Sequence, residues 1–256
     1  MALIDLSGKV ALVTGGSRGI GAATVQLLAR TGAEGVFTYH TRKRDADHVV
    51  LGAAEVGRRW VPFQADLAEP EACERAVEET VESFGRLDLF VANAAIWPPQ
   101  DAGVAEMSDD RWKHTLAVNL DSVFYGTRAA LQAMESGGRV VIVSSTAGQR
   151  GEAYHADYAA TKGALISFVK SVAVEGAAAG IGVNCVAPGW VDTEMSKEAF
   201  EQGGGSGKRE IEATIPLGRV ATAEEIAGPI VFLCSGLSGS VVGEVLNVNG
   251  GSVLCG

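Results

Sequence analysis

A tyrosine and a lysine stand four residues apart in the segment YAATK, residues 158–162. Positions i and i+4 of a helix share one face, so a helix here would place the Tyr158 phenol beside the Lys162 ammonium. A nearby ammonium favours the phenolate, and we expect it to lower the pKa of Tyr158 from its ordinary value of about 10. Such a group could exchange a proton with a substrate as a general acid or base. An ordinary helix surface that carries a tyrosine and a lysine is the alternative interpretation.

A glycine-rich turn lies near the start of the chain, in the segment TGGSRGIG, residues 14–21. It follows the apolar run VALVTG and precedes a helical pattern that ends near Gly32. Glycines allow a tight turn and a close approach of the backbone to a pyrophosphate, which the free N–H groups at a helix start can bind. A plain strand-to-helix turn is the alternative, although the first strand, first helix and second strand follow in the order of a nucleotide site. The predicted phosphate site comprises Gly15, Ser17, Arg18, Gly19, Ile20 and Gly21.

The end of the second predicted strand indicates which nucleotide would bind. A carboxylate at this point binds a ribose 2′-hydroxyl and repels a 2′-phosphate. The segment FTYHTRKR, residues 37–44, has Tyr39 where that acid is expected, and basic residues follow it. Arg18 and Arg42 could clamp a 2′-phosphate, with His40 nearby in the sequence. The sequence therefore predicts NADP(H) in preference to NAD(H), and a solvated basic loop is the alternative.

Apolar runs alternate with helical patterns along the chain, which predicts βαβ units and a parallel sheet. The expected fold is α/β: a doubly wound (Rossmann) sheet between two helical layers, forming one domain over residues 1–256. Long helices are predicted over 69–84, over 108–135 with Ser108 as the N-cap, and over 153–178. The predicted strands cover residues 10–15, 35–40, 59–67, 87–95, 139–145, 181–189 and 244–251.

Residues 190–215 interrupt this alternation and contain the glycine cluster EQGGGSGKRE. Elements are predicted on both sides of the cluster, so it does not separate two halves of the chain. We expect a flexible segment that acts as a mobile lid over a pocket. A linker between domains is the alternative.

The overall composition limits the partners of the protein. The 256 residues carry a net charge of −10, which argues against a nucleic-acid partner because such proteins present a basic patch. The four cysteines are scattered without metal-ligand spacing, so no metal site is predicted. The sequence shows no basic leader and no apolar stretch of about 18 residues, so we expect a cytoplasmic protein without membrane contact.

Several motifs occur in an order and at a spacing that resemble the short-chain dehydrogenase/reductase family. They are TGGSRGIG at 14–21, ADL at 65–67, ANAA at 92–95, VNL at 118–120, VSS at 143–145, YAATK at 158–162 and APGWVDTEM at 187–195. The resemblance extends over nearly the whole chain. The pattern is most similar to the 3-oxoacyl-carrier-protein reductases and the carbonyl reductases related to them.

The resemblance implies a role for each matching residue. Ser145 would bind the carbonyl oxygen of the substrate and Tyr158 would move the proton. Lys162 would hold the cofactor ribose, and Asn119 would hold a water that extends the proton relay. A homotetramer is also implied. The other implied cofactor contacts are Asp66 and Leu67 at the adenine, Asn93 and Ala94 in the groove, and Pro188, Gly189, Val191 and Thr193 at the nicotinamide and phosphates.

Two departures from the family pattern bear on packing and on the substrate. The family often has N-N-A-G after the fourth strand, where this chain has ANAA, so local packing is in question although Asn93 is kept. The basic surface that suits an acidic carrier protein is missing from LQAMESGGR and VAVEGAAAG, and a net charge of −10 disfavours docking of such a carrier. Trp97, Tyr154 and Trp190 are candidate substrate contacts, with plain loop packing as the alternative.

The predicted activity is the reversible reduction of a ketone or 3-oxoacyl carbonyl to a secondary alcohol by NADPH. A catalytically idle NADP(H)-binding sensor or scaffold is the alternative. The presence of Asn119, Ser145, Tyr158 and Lys162 together disfavours it. The sequence indicates a small-molecule carbonyl or alcohol as the substrate, without naming which one.

Overall fold

The computed structural model describes residues 4–255, with residues 202–205 described in their backbone only. All the predicted strands are present, and most end a few residues before the predicted end because the last residues turn away to build loops. Within the described range, seven parallel strands form one sheet: β1 (Val10–Val13), β2 (Glu34–Tyr39), β3 (Trp60–Gln64), β4 (Leu89–Ala92), β5 (Arg139–Val143), β6 (Gly182–Pro188) and β7 (Val245–Val248).

The strand order is β3-β2-β1-β4-β5-β6-β7, so the chain reverses its direction of progress across the sheet between β1 and β4. The prediction of a doubly wound parallel sheet is confirmed. Loops that leave β1 and β4 at their carboxyl ends turn toward opposite faces, which opens a crevice at this edge. Any ligand of the sheet is expected there.

Helices cover both faces of the sheet. Val13 and Val91 belong to the apolar cluster under one helical layer, while Leu12 and Phe90 belong to the cluster under the other. This alternation along each strand is what burial on both faces requires. None of the helices between residues 4 and 255 is both long enough and apolar enough to cross a membrane. One layer contains α1 (Gly19–Arg30), α2 (Lys43–Glu55) and α10 (Ala223–Cys234), and the other contains α3 (Pro70–Phe84), α5 (Ser122–Ala133) and α7 (Ala156–Ala178).

The single helix predicted over 108–135 is in fact two helices joined by a wider turn. α4 (Asp109–Leu116) begins after Ser108, whose hydroxyl accepts a hydrogen bond from Arg111 N at 3.2 Å, so the predicted N-cap is confirmed. A π-helical turn over Ala117–Asp121 then leads into α5. Such turns are rare and often occur at functional sites. The helical periodicity of the sequence does not distinguish this turn from a continuous helix.

The helix predicted from residue 153 begins later than expected. A short helix, α6 (Thr146–Arg150), follows β5, and α7 begins at Ala156. Tyr154 lies between them with φ of 66°, in the left-handed region that non-glycine residues rarely adopt. The loop therefore cannot continue α7 toward its N-terminus.

The segment predicted to be a flexible loop, residues 190–215, contains two helices: α8 (Lys197–Gly205) and α9 (Gly207–Ala213). Phe200 is buried in a cluster with Ile215 and Val220, and Trp190 packs against it. Burial of these apolar side chains offsets the entropic cost of glycine in a helix. The prediction of an irregular segment was wrong because it gave the glycines more weight than the apolar residues beside them. The mobility of residues 190–215 and their role as a lid stay predictions.

Candidate active site

A cavity of about 370 Å³ opens at the carboxyl edge of the sheet, where β1 and β4 diverge. Every residue predicted as a catalytic, cofactor or substrate contact lines this cavity except Asn119 and Tyr154. The cavity-lining residues that the sequence singles out are Gly15, Ser17, Arg18, Gly19, Ile20, Gly21, Tyr39, His40, Arg42, Asp66, Leu67, Asn93, Ala94, Trp97, Ser145, Tyr158, Lys162, Pro188, Gly189, Trp190, Val191 and Thr193.

The glycine turn has the backbone that a phosphate site requires. Gly15 and Gly19 have φ of 65° and 52°, in the region that only glycine adopts freely. A Cβ on Gly21 would lie 2.1 Å from the Gly15 carbonyl oxygen, so a side chain there would push α1 away from the turn. Among the described residues, no side chain caps α1 at Arg18, and the first N–H groups of a helix have no partner within it. These residues fit the pyrophosphate of a dinucleotide.

Asn93 ties this turn to the end of β4. Its Nδ2 donates to the carbonyl oxygens of Thr14 at 3.0 Å and of Gly15 at 3.2 Å. Ala94 packs directly against the turn, because a Cβ on Gly15 would lie 3.0 Å from its Cα. The alanines in ANAA are therefore compatible with a close approach of the two loops.

Three basic side chains, Arg18, His40 and Arg42, line the cavity beside the end of β2. Arg42 Nη1 lies 3.9 Å from Asp45 Oδ2, and both of these side chains are at least 39% exposed. Exposed pairs at this distance contribute little free energy, so Arg42 can turn toward another anion at small cost. Tyr39 ends β2 where an acid would disfavour a phosphate. This part of the cavity fits a phosphorylated ribose.

Tyr158 and Lys162 lie one turn apart on α7, and both are buried. Lys162 Nζ donates to the Val143 carbonyl oxygen at 2.9 Å and lies 5.7 Å from the centre of the Tyr158 ring. The Ser145 hydroxyl accepts from Ala147 N at 3.1 Å, which leaves its own proton free to be donated. A phenol, a hydroxyl and an amine therefore line one cavity.

The prediction that Lys162 lowers the pKa of Tyr158 was wrong for this structure. Burial raises the pKa of Tyr158 to about 12, and the charge of Glu152 adds to this rise while Ser145 opposes it. Burial also lowers the pKa of Lys162 to about 8. Removal from water disfavours the charged form of both groups, and it is the largest cause of each shift. Tyr158 is therefore a protonated phenol at neutral pH.

Asn119 lies behind the cavity wall. Its Oδ1 accepts from Ile96 N at 2.8 Å, and its Nδ2 donates to the Ile96 carbonyl oxygen at 2.8 Å. Its side chain is fully buried, so both ends of the amide hold the loop after β4 in place. The water-holding role that the resemblance implies for Asn119 stays a prediction.

The three aromatic candidates for substrate contact differ in their placement. Trp97 and Trp190 both line the cavity, with their rings edge to face at 6.1 Å. Tyr154 does not line it, and the residue is 59% exposed. The structure thus places Tyr154 outside the cavity, with a left-handed backbone, and its contact with a substrate stays a prediction.

A buried ion pair fixes the start of α7, next to Tyr158. Asp157 is fully buried and accepts from Arg111 Nε at 2.9 Å, from Arg111 Nη2 at 3.3 Å and from Thr115 Oγ1 at 2.9 Å. Arg111 also donates to the carbonyl oxygens of Gln100 at 2.5 Å and Tyr154 at 3.4 Å. One guanidinium thus connects α4, α7 and the two loops beside the cavity.

Several other residues that line the cavity are not among the predicted site residues. Thr38 belongs to the segment 37–44 and Glu194 with Met195 to the motif at 187–195, while Arg150, Glu152 and Ser196 are close in the chain to Tyr158 or Thr193. His114, on α4, has no such signal. Glu152 is the one with an unusual environment, because burial raises the pKa of its carboxyl group. These residues include Thr38, His114, Arg150, Glu152, Glu194, Met195 and Ser196.

Comparison with known proteins agrees with this geometry. The family model described as Enoyl-(Acyl carrier protein) reductase matches residues 15–252. The 3-oxoacyl-[acyl-carrier-protein] reductase FabG of Salmonella typhimurium is 38% identical over 252 residues, which cover 97% of this chain and 98% of that protein. This chain belongs to the short-chain dehydrogenase/reductase family. It is therefore an oxidoreductase, and the resemblance drawn from its motifs is confirmed.

Two solved structures have the same fold as this chain. One from Burkholderia cenocepacia, in complex with NADP, has a TM-score of 0.90 and 35% identity, with 96% of this chain and 98% of that chain covered. A blue fluorescent protein from a metagenomic library, in complex with NADPH, has a TM-score of 0.90 and 35% identity, with 98% and 100% covered. Both comparisons span nearly the full length of this short-chain dehydrogenase.

Proposed function

We propose that this short-chain dehydrogenase reduces a ketone or 3-oxoacyl carbonyl to a secondary alcohol with NADPH. The proposal rests on the observation that the same cavity is lined by Ser145, Tyr158, Lys162 and the glycine turn. The FabG relative is named for a 3-oxoacyl substrate, and two similar structures contain NADP or NADPH. We also propose that the chain assembles as a homotetramer and functions in the cytoplasm.

The cofactor would be held by groups from several loops. The backbone of the glycine turn would bind the pyrophosphate, Asp66 and Leu67 would hold the adenine, and Asn93 with Ala94 would line the groove. Lys162 would bind the ribose. The residues toward the nicotinamide end would be Pro188, Gly189, Val191 and Thr193. Bound NADPH supplies the hydride for the reaction.

The chain itself would supply the proton and the electrostatic field. The Ser145 hydroxyl would donate a hydrogen bond to the carbonyl oxygen as negative charge develops there. Tyr158 would then give its proton to the same oxygen. A pKa of about 12 keeps the phenol protonated at neutral pH, which suits reduction more than oxidation. Lys162 would stabilise the phenolate that remains, and its ammonium form persists below a pH of about 8.

The proposed substrate site is bounded by Trp97 and Trp190 on the aromatic side. Residues 190–215 would form a lid made of α8 and α9. Trp190 joins the lid to the cavity, since it lines the cavity and also packs against Phe200 of α8, with ring centres 6.0 Å apart. Changes in this segment would therefore alter the shape of the substrate site.

Turnover of the wild-type protein tests the proposed activity. We expect loss of NADPH absorbance in the presence of a panel of ketones and 3-oxoacyl thioesters, with formation of the matching secondary alcohol. Tight binding of NADPH without turnover of any carbonyl would contradict the proposal. That result would favour the NADP(H)-binding sensor or scaffold.

Replacement of Arg42 by alanine tests the proposed cofactor preference. Loss of a charge-assisted hydrogen bond to the 2′-phosphate is expected to raise the KM for NADPH by about 10-fold or more, with the KM for NADH unchanged. Arg44→Ala is the matched control, because Arg44 belongs to the same basic segment and does not line the cavity. Equal changes for the two cofactors in Arg42→Ala would refute the preference.

A further inference from the structure

The carboxylate of Glu152 lines the cavity and is only 21% exposed. Burial of a carboxylate is costly unless hydrogen-bond donors replace the lost water. Trp97 Nε1 donates to Glu152 Oε1 at 3.3 Å, and His155 Nδ1 lies 4.0 Å from the same oxygen. Both contacts therefore fall on one carboxylate oxygen.

The second oxygen of Glu152 has no such partner. No hydrogen bond within the described part of the chain reaches Oε2. Arg150 lines the same cavity, but no salt bridge joins it to Glu152 among the described residues. Burial accordingly raises the pKa of Glu152, with the charges of His155 and Arg150 acting in the opposite direction. Glu152 Oε2 is therefore an acceptor at the edge of the cavity that a donor group of a bound ligand can satisfy.

The surrounding rings fix the position of this carboxylate. Trp97 stacks on His155 with ring centres 4.4 Å apart and an angle of 16° between the planes. Its ring also meets that of Trp190 edge to face. Trp97 is thus held on two sides while its N–H orients Glu152. The cavity combines an apolar aromatic wall with an acceptor held in a fixed place.

We propose that Glu152 is a specificity-determining residue, selecting carbonyl substrates that carry a hydrogen-bond donor, a hydroxyl or an ammonium group, close to the reacting carbonyl. The inference rests on the proposed carbonyl reductase activity. It narrows the substrate class to hydroxyketones or aminoketones. The same charge disfavours substrates with a carboxylate at that position, since two buried negative charges repel each other.

Matched pairs of ketones test this selection. Hydroxyacetone is compared with 2-butanone, and 4-hydroxy-2-butanone with 2-pentanone, because each pair replaces a hydroxyl by a methyl group. Aminoacetone provides the ammonium. We expect wild-type kcat/KM to favour the donor-bearing ketone of a pair by about 10- to 100-fold, the range of a hydrogen bond to a charged group. Glu152→Ala should abolish this ratio and leave the KM for NADPH unchanged.

Two further variants separate the possible donors. Glu152→Gln retains an acceptor oxygen, so a hydroxyl-selective site keeps part of its preference in this variant, whereas an ammonium-selective site loses it. Glu78→Ala is the matched control, since Glu78 is exposed on α3 and does not line the cavity. The control should retain the wild-type ratio.

Binding without reaction distinguishes failure of this inference from failure of the proposed activity. The same ketones are titrated onto the NADP⁺ complex, in which no reduction can occur, and Kd is read from tryptophan fluorescence. Selective binding that Glu152→Ala abolishes would support the inference even if no ketone is reduced. Equal Kd and equal kcat/KM within each pair for the wild type, or a preference that survives in Glu152→Ala, would overturn it.

Discussion

Replacement of Tyr158 by phenylalanine is expected to lower kcat/KM for ketone reduction by about 10²- to 10⁴-fold, the usual contribution of a general acid. Phenylalanine keeps the ring and its packing on α7 but has no proton to give. The residual rate would come from the bound cofactor and from the hydrogen bond of Ser145. NADPH oxidation at saturating cofactor measures the effect, and the Kd for NADPH checks that the binding site is intact.

The control for this variant is Tyr154→Phe, which removes a phenol four residues away on an exposed side chain outside the cavity. Its kcat/KM should equal that of the wild type. The pH profile of the wild type adds a second check. The rate of reduction should fall as the pH rises through about 8, where Lys162 loses its proton. This fall should come well below a pH of about 12, at which Tyr158 would lose its proton. A kcat/KM of Tyr158→Phe within a few-fold of the wild-type value would show that Tyr158 is not the proton donor.

Replacement of Asp157 by alanine is expected to lower the free energy of unfolding by about 3–5 kcal/mol, because it leaves the Arg111 guanidinium largely buried without its partner. The Arg111 side chain is only 16% exposed and the Asp157 carboxylate is fully buried. Urea denaturation with an unchanged m-value measures the loss. Asp47→Ala removes an ion pair whose two side chains are 69% and 49% exposed, and its effect should lie below about 1 kcal/mol.

The Arg111–Asp157 ion pair also makes the free energy of unfolding depend on pH. Burial raises the pKa of Asp157, but hydrogen bonds from Arg111 and Thr115 more than offset it, so the folded-state pKa lies below the ordinary value. Aspartate in the unfolded chain has a pKa of about 3.9, so the stabilisation is fully present above that pH and is lost as the pH falls through the folded-state pKa. The difference between wild type and Asp157→Ala should therefore shrink in acid. A constant difference down to the acid transition would contradict the ionic role of Asp157.

Local patterns in the sequence were sufficient to predict the sheet and most of the cavity. The glycines at 15, 19 and 21 have to be glycine because of backbone geometry, which a motif records directly. The pairing of Tyr158 with Lys162 follows from helical spacing alone. Apolar runs at near-regular intervals determine a doubly wound fold because few topologies bury both faces of such strands.

Features that depend on distant contacts could not be predicted. The raised pKa of Tyr158 arises from burial by the folded chain, whereas the sequence makes visible only the neighbouring lysine. The bonds of Asn119 to Ile96 join residues 23 positions apart. The surroundings of Glu152 require Trp97 to be brought to it from the loop after β4. None of these contacts produces a periodic pattern of residue types in the sequence.

Backbone hydrogen bonds join the two ends of the segment that contains α8 and α9. Ala221 N donates to the Trp190 carbonyl oxygen at 3.0 Å, and Asp192 N donates to the Ala221 carbonyl oxygen at 2.8 Å, so Val191 and Ala221 form a short parallel bridge. The free energy of closing a loop changes slowly with its length once its ends are fixed. We therefore expect that this segment can be exchanged for a relative's shorter or longer one while β6 and α10 keep their places. If it forms the proposed lid, such chimaeric enzymes would differ in the substrates that they accept.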